Sequence, residues 1–98
     1  MRKVMKLKTI HINDIREQLN DIHLIDIREK LEFQTLAKLP QAQHVPMGDL
    51  VKSPEQYLLK NQCYYLICRS GARTEQVTQY LTALGYDVIN VEGGMLAY

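Results

Sequence analysis

The sequence predicts an α/β domain on a largely parallel sheet, and three observations carry that prediction. Short apolar runs alternate along the chain with segments whose apolar residues recur at helical spacing, the order that parallel strands joined by helical crossovers impose. Two of those runs, Cys63–Cys68 (CYYLIC) and Asp87–Val91 (DVINV), are nearly continuous apolar stretches, as strands covered on both faces are. The chain has 98 residues, 46% hydrophobic and 23% charged. That leaves room for one domain over residues 1–98 and one modest core, and excludes a two-domain enzyme, a disordered chain or a fibrous repeat.

Taken in order, the elements number five strands and four helices. Lys8–Ile12 (KTIHI) alternates apolar and polar residues, so it reads as a strand with one covered face. Asp14–Asn20 places Ile15 and Leu19 four apart behind a capping Asn13 or Asp14, which predicts a short helix. His23–Ile27 (HLIDI) is a branched, strand-like run, and Lys30–Leu36 a second short helix. His44 and Val45, just before Pro46, form a third strand. Ser53 can cap a helix from Pro54 to Lys60, with Pro54 at its first position and Gln56 completing a capping box. After the central strand Cys63–Cys68 comes the longest helix, Ala72–Leu84, with Val77, Tyr80, Leu81 and Leu84 as its apolar stripe and Gly85 as its stop. Asp87–Val91 closes the sheet, with Gly93 and Gly94 turning the chain to pack beside the loop after Cys68.

Composition narrows the function classes. The longest unbroken apolar stretch is the six residues Cys63–Cys68, far below the roughly 20 that a membrane-spanning helix needs, so no membrane association is expected. Two cysteines are too few for a stapled secreted scaffold, and no signal-type apolar segment follows the start, which points to the reducing cytoplasm. The formal net charge of +1 conceals a basic, loosely held start: Arg2, Lys3, Lys6 and Lys8 have no acid among them, and the remainder is mildly acidic. A nucleic-acid partner, which wants a basic face carried by the fold, is not expected. His11, His23 and His44 lack metal-ligand spacing, so neither a metal nor another cofactor is assigned.

The chemistry concentrates in Cys68-Arg69-Ser70-Gly71-Ala72-Arg73, between a buried strand and a long helix. A loop in that position aims several backbone N–H groups at one point and makes a nest for an anion. Cys68 would sit in it, its pKa lowered by the amides and by Arg69 and Arg73, while Gly71 lets the backbone curl. A thiolate so held is a nucleophile toward sulfur or phosphorus, and the nest stabilises the anion left on it. Cys63 lies five residues back along the strand, about 16 Å away and on the opposite face, so it cannot pair with Cys68 and reads as a buried, inert thiol.

Six islands together resemble a single-domain rhodanese, a sulfurtransferase family with a three-layer α/β sandwich. They are Leu24-Ile25-Asp26-Ile27-Arg28-Glu29 with Glu32-Phe33, Leu39-Pro40-Gln41-Ala42, His44-Val45-Pro46, the Cys68–Arg73 loop, Leu84-Gly85-Tyr86, and Glu92-Gly93-Gly94 with Ala97-Tyr98. The resemblance implies that Cys68 takes the outer sulfur of a donor such as thiosulfate, holds it as a persulfide and passes it to cyanide or a thiol. Arg69, Ser70, Gly71, Ala72 and Arg73 would bind the substrate, and Asp26 and Arg28 would brace the site, with Glu29 and Glu32 as their partners. The related cysteine phosphatases need an arginine six positions after the cysteine; here Thr74 stands there and Arg73 one earlier, which disfavours phosphate chemistry. A carrier that receives sulfur from another protein is the second reading, and a non-catalytic interaction module the third. The chain departs from the family at Ala37-Lys38, where Gly-His is usual, and at Tyr98, where relatives commonly continue through a final helix, so that either reduced stability or a partner covering the exposed face is expected.

Overall fold

The structure, a computed structural model, describes residues 6–98. Residues 1–5, most of the expected basic start, lie outside the described residues. Five parallel strands form one sheet: β1 (Thr9–His11), β2 (Leu24–Asp26), β3 (Gln43–His44), β4 (Cys63–Ile67) and β5 (Asp87–Glu92), in the order β1-β5-β4-β2-β3. The two runs read as central, β4 and β5, are interior strands, and the short β2 joins them there because its three residues are all buried. Among the described residues four α-helices accompany the sheet: α1 (Lys30–Thr35), α2 (Met47–Lys52), α3 (Ala72–Ala83) and α4 (Gly94–Ala97).

Alternation along the strands builds the layers. Ile25, Ile27, Tyr64, Leu66 and Cys68 point to one face, where Val77 and Leu81 of α3 and Leu50 of α2 close the larger core. Leu24, Ile67 and Val91 point to the other, against Ile12, Ile15, Leu19 and Leu39. From β2 the chain moves outward to β3 and carries Leu39 over the second face; from β4 it moves the opposite way to β5 and carries α3 over the first. Right-handed crossovers in opposite directions require opposite faces. The point where the direction reverses, between β2 and β4, opens a crevice at the strands' carboxyl ends, where ligands of such sheets bind.

Three expectations are corrected. Asp14–Asn20 is not an α-helix but follows two three-residue 3₁₀ turns, Ile12–Asp14 and Arg16–Gln18. Ile15 and Leu19 are buried as their spacing implied, but Asn13 spends its amide on Ala97 O at 3.0 Å, and the first turn is capped by the His11 side chain. Pro54–Lys60 is likewise one 3₁₀ turn, Pro54–Gln56, because Ser53 already ends an unforeseen helix, α2, with its N–H on Asp49 O at 3.1 Å, and its side chain caps nothing. The capping box belongs instead to Glu29 and Glu32 of α1. Finally, the buried stripe of α3 is Thr74, Val77, Thr78 and Leu81, one helical band, whereas Tyr80 and Leu84 stay exposed. Gly85 does end that helix, at a left-handed φ of 95°.

Candidate active site

Cys68 follows β4 directly and occupies the crevice between β2 and β4. Past it the chain turns at Gly71, whose φ of 99° a side chain would strain, and enters the twelve-residue helix α3. That turn brings Gly71 N to 3.2 Å from Cys68 Sγ, with the Thr74 hydroxyl at 3.6 Å. Burial pushes the Cys68 thiol up, but the Thr74 backbone amide and hydroxyl, together with the amides of Gly71 and Arg73, outweigh it and hold the pKa below that of an ordinary thiol. The side chain is fully enclosed in the larger core's rim.

The loop is fixed from behind by the segment after β5. Met95 N donates to Cys68 O and Leu96 N to Arg69 O, each at 2.9 Å. Close approach depends on Gly94: a Cβ there would lie 2.5 Å from Cys68 O and 2.6 Å from Arg69 O. The expected packing of Gly93-Gly94 beside the cysteine loop is thus present.

The residues singled out from sequence take different parts in the site. Gly71 and Arg73 turn backbone amides to the sulfur, whereas the Ala72 amide faces Ser70 Oγ at 3.5 Å, and Ser70 and Ala72 are exposed. Arg69 is exposed and forms no ion pair among the described residues. Arg73 is engaged: its Nη1 and Nη2 donate to the two oxygens of Glu32 at 2.6 and 2.9 Å. Glu32 therefore does not partner Arg28, as expected; a guanidinium that presents its fork across the crevice claims it first. Arg28 instead donates three times to Asp26 at 2.8–3.0 Å, in an ion pair 1% exposed on either side. Arg28 Nη2 also donates to Ala37 O at 3.1 Å, so the departing Ala37-Lys38 loop is tied to this pair through its backbone. His44 Nε2 meets Arg28 O at 2.7 Å while its ring stacks on Phe33.

Cys63 and Cys68 are both free. Cys63 is half-buried rather than buried, because it opens β4 beside Lys8 and Asp87; its pKa is raised, chiefly by burial and then by the Asp87 charge. Two residues that sequence reasoning passed over stand at the sulfur: Thr74, and behind it Asn90, the acceptor of its hydroxyl. The signal for Asn90 was present, since a polar residue in register with Leu66 inside an otherwise apolar strand needs a buried partner. Among the described residues no three potential metal ligands cluster, and no helix is long and apolar enough to cross a membrane.

Fold and site define an α/β domain that offers an activated cysteine in an amide nest at the switch point of a parallel sheet. Residues 11–98 match the rhodanese-like domain, and the chain belongs to that family of sulfurtransferases and sulfur carriers. It is 39% identical over 96 residues, 96% of this chain and 92% of the relative, to a Bacillus subtilis protein named "Putative sulfurtransferase YtwF". It is 36% identical over 94 residues to "Putative sulfur carrier protein YrkF" of the same organism, covering 95% of this chain and 43% of that protein. The crystal structure of a rhodanese-like domain protein from Staphylococcus aureus superposes with a TM-score of 0.81 at 33% identity, over 93% of this chain and 90% of that one.

Proposed function

We propose that this protein transfers a sulfane sulfur through a persulfide on Cys68, with residues 1–98 acting as one cytoplasmic domain. The observation that carries the reading is the Cys68 sulfur under the Gly71 amide at the start of α3, its pKa lowered by surrounding donors. The Cys68 thiolate attacks the outer sulfur of thiosulfate; the S–S bond of the donor breaks, its electron pair leaves with sulfite, and Cys68 carries the terminal sulfur as a persulfide anion. Sulfite leaves without needing a proton, so the loop's lack of an acid is no obstacle. Cyanide or a thiol then attacks the terminal sulfur and returns Cys68 as thiolate. Arg69 supplies the uncommitted positive charge for an anionic donor, and Asp26–Arg28 brace the crevice floor.

The carrier reading, in which a protein persulfide loads Cys68, draws on two observations. The sulfur is enclosed, and Arg73, a charge expected for the donor, is neutralised by Glu32. One experiment separates the two. Reduced protein and Cys68→Ser are incubated with thiosulfate, intact masses recorded, and thiocyanate formation from cyanide followed. A one-sulfur adduct with turnover, absent in the variant, supports the enzyme; loading only from a persulfidated protein supports the carrier; no loading from either sinks both.

A further inference from the structure

Thr74 Oγ1 stands among three acceptors: Cys68 Sγ at 3.6 Å, Gly71 O at 3.1 Å, and Asn90 Oδ1. A hydroxyl has one proton and can serve one of them at a time. Thr74 is completely buried and Asn90 nearly so, at 0% and 4% exposure, so no solvent competes for that choice. Asn90 carries both an acceptor and a donor group on one rotatable carboxamide. With its oxygen toward Thr74, it takes the hydroxyl proton and leaves the Thr74 lone pairs to accept from a Cys68 thiol. With its NH₂ toward Thr74, it donates to Oγ1 and releases the hydroxyl proton to the sulfur.

We infer that Thr74 and Asn90 form a hydrogen-bond relay in which the Asn90 carboxamide sets the direction of the Thr74 hydroxyl, and the hydroxyl holds Cys68 Sγ in its anionic form. Thr74 touches the reacting atom; Asn90 is a positioning residue that acts through it. The inference rests on Cys68 being the sulfur-transfer nucleophile. The Thr74 hydroxyl is the side-chain partner of Sγ among the described residues, beside the backbone amides of Gly71, Arg73 and Thr74, so it is the one donor to the thiolate or persulfide anion whose direction a neighbour can set. The charged groups of the loop and of the elements flanking it are Arg69, Arg73 with its partner Glu32, and the Asp26–Arg28 pair at the end of β2. Two of those three cations are paired with carboxylates, which leaves the neutral relay more to do.

The test follows thiolate ultraviolet absorbance through a pH titration in a Cys63→Ala background, so that ionisation is read without a sulfur donor. Thr74→Val keeps the side-chain volume and removes the hydroxyl; its Cys68 midpoint rises by about one pH unit, a tenfold loss of thiolate below the midpoint. Thr74→Ser restores the parent midpoint. Asn90→Leu raises the midpoint when Thr74 is present and has no further effect in Thr74→Val, the non-additivity expected of a residue acting through another. An unchanged midpoint in Thr74→Val, or an unchanged or lowered one in Asn90→Leu, overturns the relay. Far-ultraviolet circular dichroism identifies any unfolded variant, and Thr74→Ser then carries the test alone, its midpoint matching the parent or overturning the inference. Sulfur loading of the parent from thiosulfate, measured separately, tells failure of the relay from failure of the sulfurtransferase reading.

Discussion

Arg73 and Glu32, 41 positions apart, meet fork to fork across the mouth of the crevice, each guanidinium Nη on its own carboxylate oxygen at 2.6 and 2.9 Å. The pair ties the first turn of α3 to α1, and Glu32 Oε1 also accepts from Glu29 N at 3.0 Å, so one carboxylate fastens two elements. It therefore acts as a clasp on the loop, where the sequence suggested a charge for substrate.

Glu32→Gln tests the clasp. The Arg73 hydrogen bonds, working against partial burial, hold the Glu32 carboxyl down at about 2. A carboxylate depressed in the folded state contributes stability that is full above its ordinary value and lost as pH falls through about 2. The pair is part-exposed, with side chains 31% and 25% accessible, so solvent screening limits its worth to about 1 kcal/mol. Urea unfolding at neutral pH is expected to show that deficit in Glu32→Gln, and the gap between parent and variant to close toward pH 2. A gap that stays constant with pH would remove the ion pair as its cause.

Arg69 is then the loop cation without a carboxylate partner among the described residues, and the proposed reading assigns it to the donor. Arg69→Ala is expected to leave the unfolding midpoint unchanged, since the side chain is exposed and makes no ion pair among the described residues. The KM for thiosulfate should rise by about tenfold with kcat nearly constant, and added salt should shrink the difference because exposed charge is screened. Equal effects on kcat at saturating donor would place Arg69 on the transition state instead.

How far this was legible from sequence depended on whether a residue's partner was local. Cys68, Gly71 and the start of α3 follow one another along the chain, so the nest could be read from spacing. The Glu32–Arg73 and Thr74–Asn90 contacts join separate elements, and nothing in either local pattern names the partner. The same limit explains α2: Met47–Lys52 shows one buried residue, Leu50, and a glycine at its second position, too little periodicity to announce a helix. Tyr80 and Leu84 misled because side-chain type was weighed above position, while α3 packs its threonines inward.

The buried Asp26–Arg28 pair predicts a larger loss from a single change than from the double one. Arg28→Met leaves Asp26 charged, enclosed and short of three donated hydrogen bonds, and is expected to cost about 3–5 kcal/mol. Asp26→Leu combined with Arg28→Met removes both charges and should recover most of that stability. Denaturant titration of both measures the difference. A double variant as unstable as the single would mean that the lost tie from Arg28 to Ala37 O, and not the orphaned charge, sets the cost.

Gly94 offers the sharpest steric test. Its φ of 57° is left-handed, and an added Cβ would sit 2.5 and 2.6 Å from the carbonyl oxygens of Cys68 and Arg69. Those oxygens are backbone atoms already accepting from Met95 N and Leu96 N, so they cannot yield without breaking the bonds that back the cysteine loop. Gly94→Ala is therefore expected to cost about 2–4 kcal/mol, strain and lost hydrogen bonds combined, and to lower the rate of sulfur loading in the fraction that remains folded. Gly48→Ala is the control: no atom outside its own helix lies within 4 Å of the new Cβ, and α2 should tolerate or gain from alanine by up to about 1 kcal/mol. Urea unfolding of both variants, with sulfur loading measured on each, decides the matter; equal stabilities would mean that the close approach of Gly94 to the loop does not hold Cys68 in place.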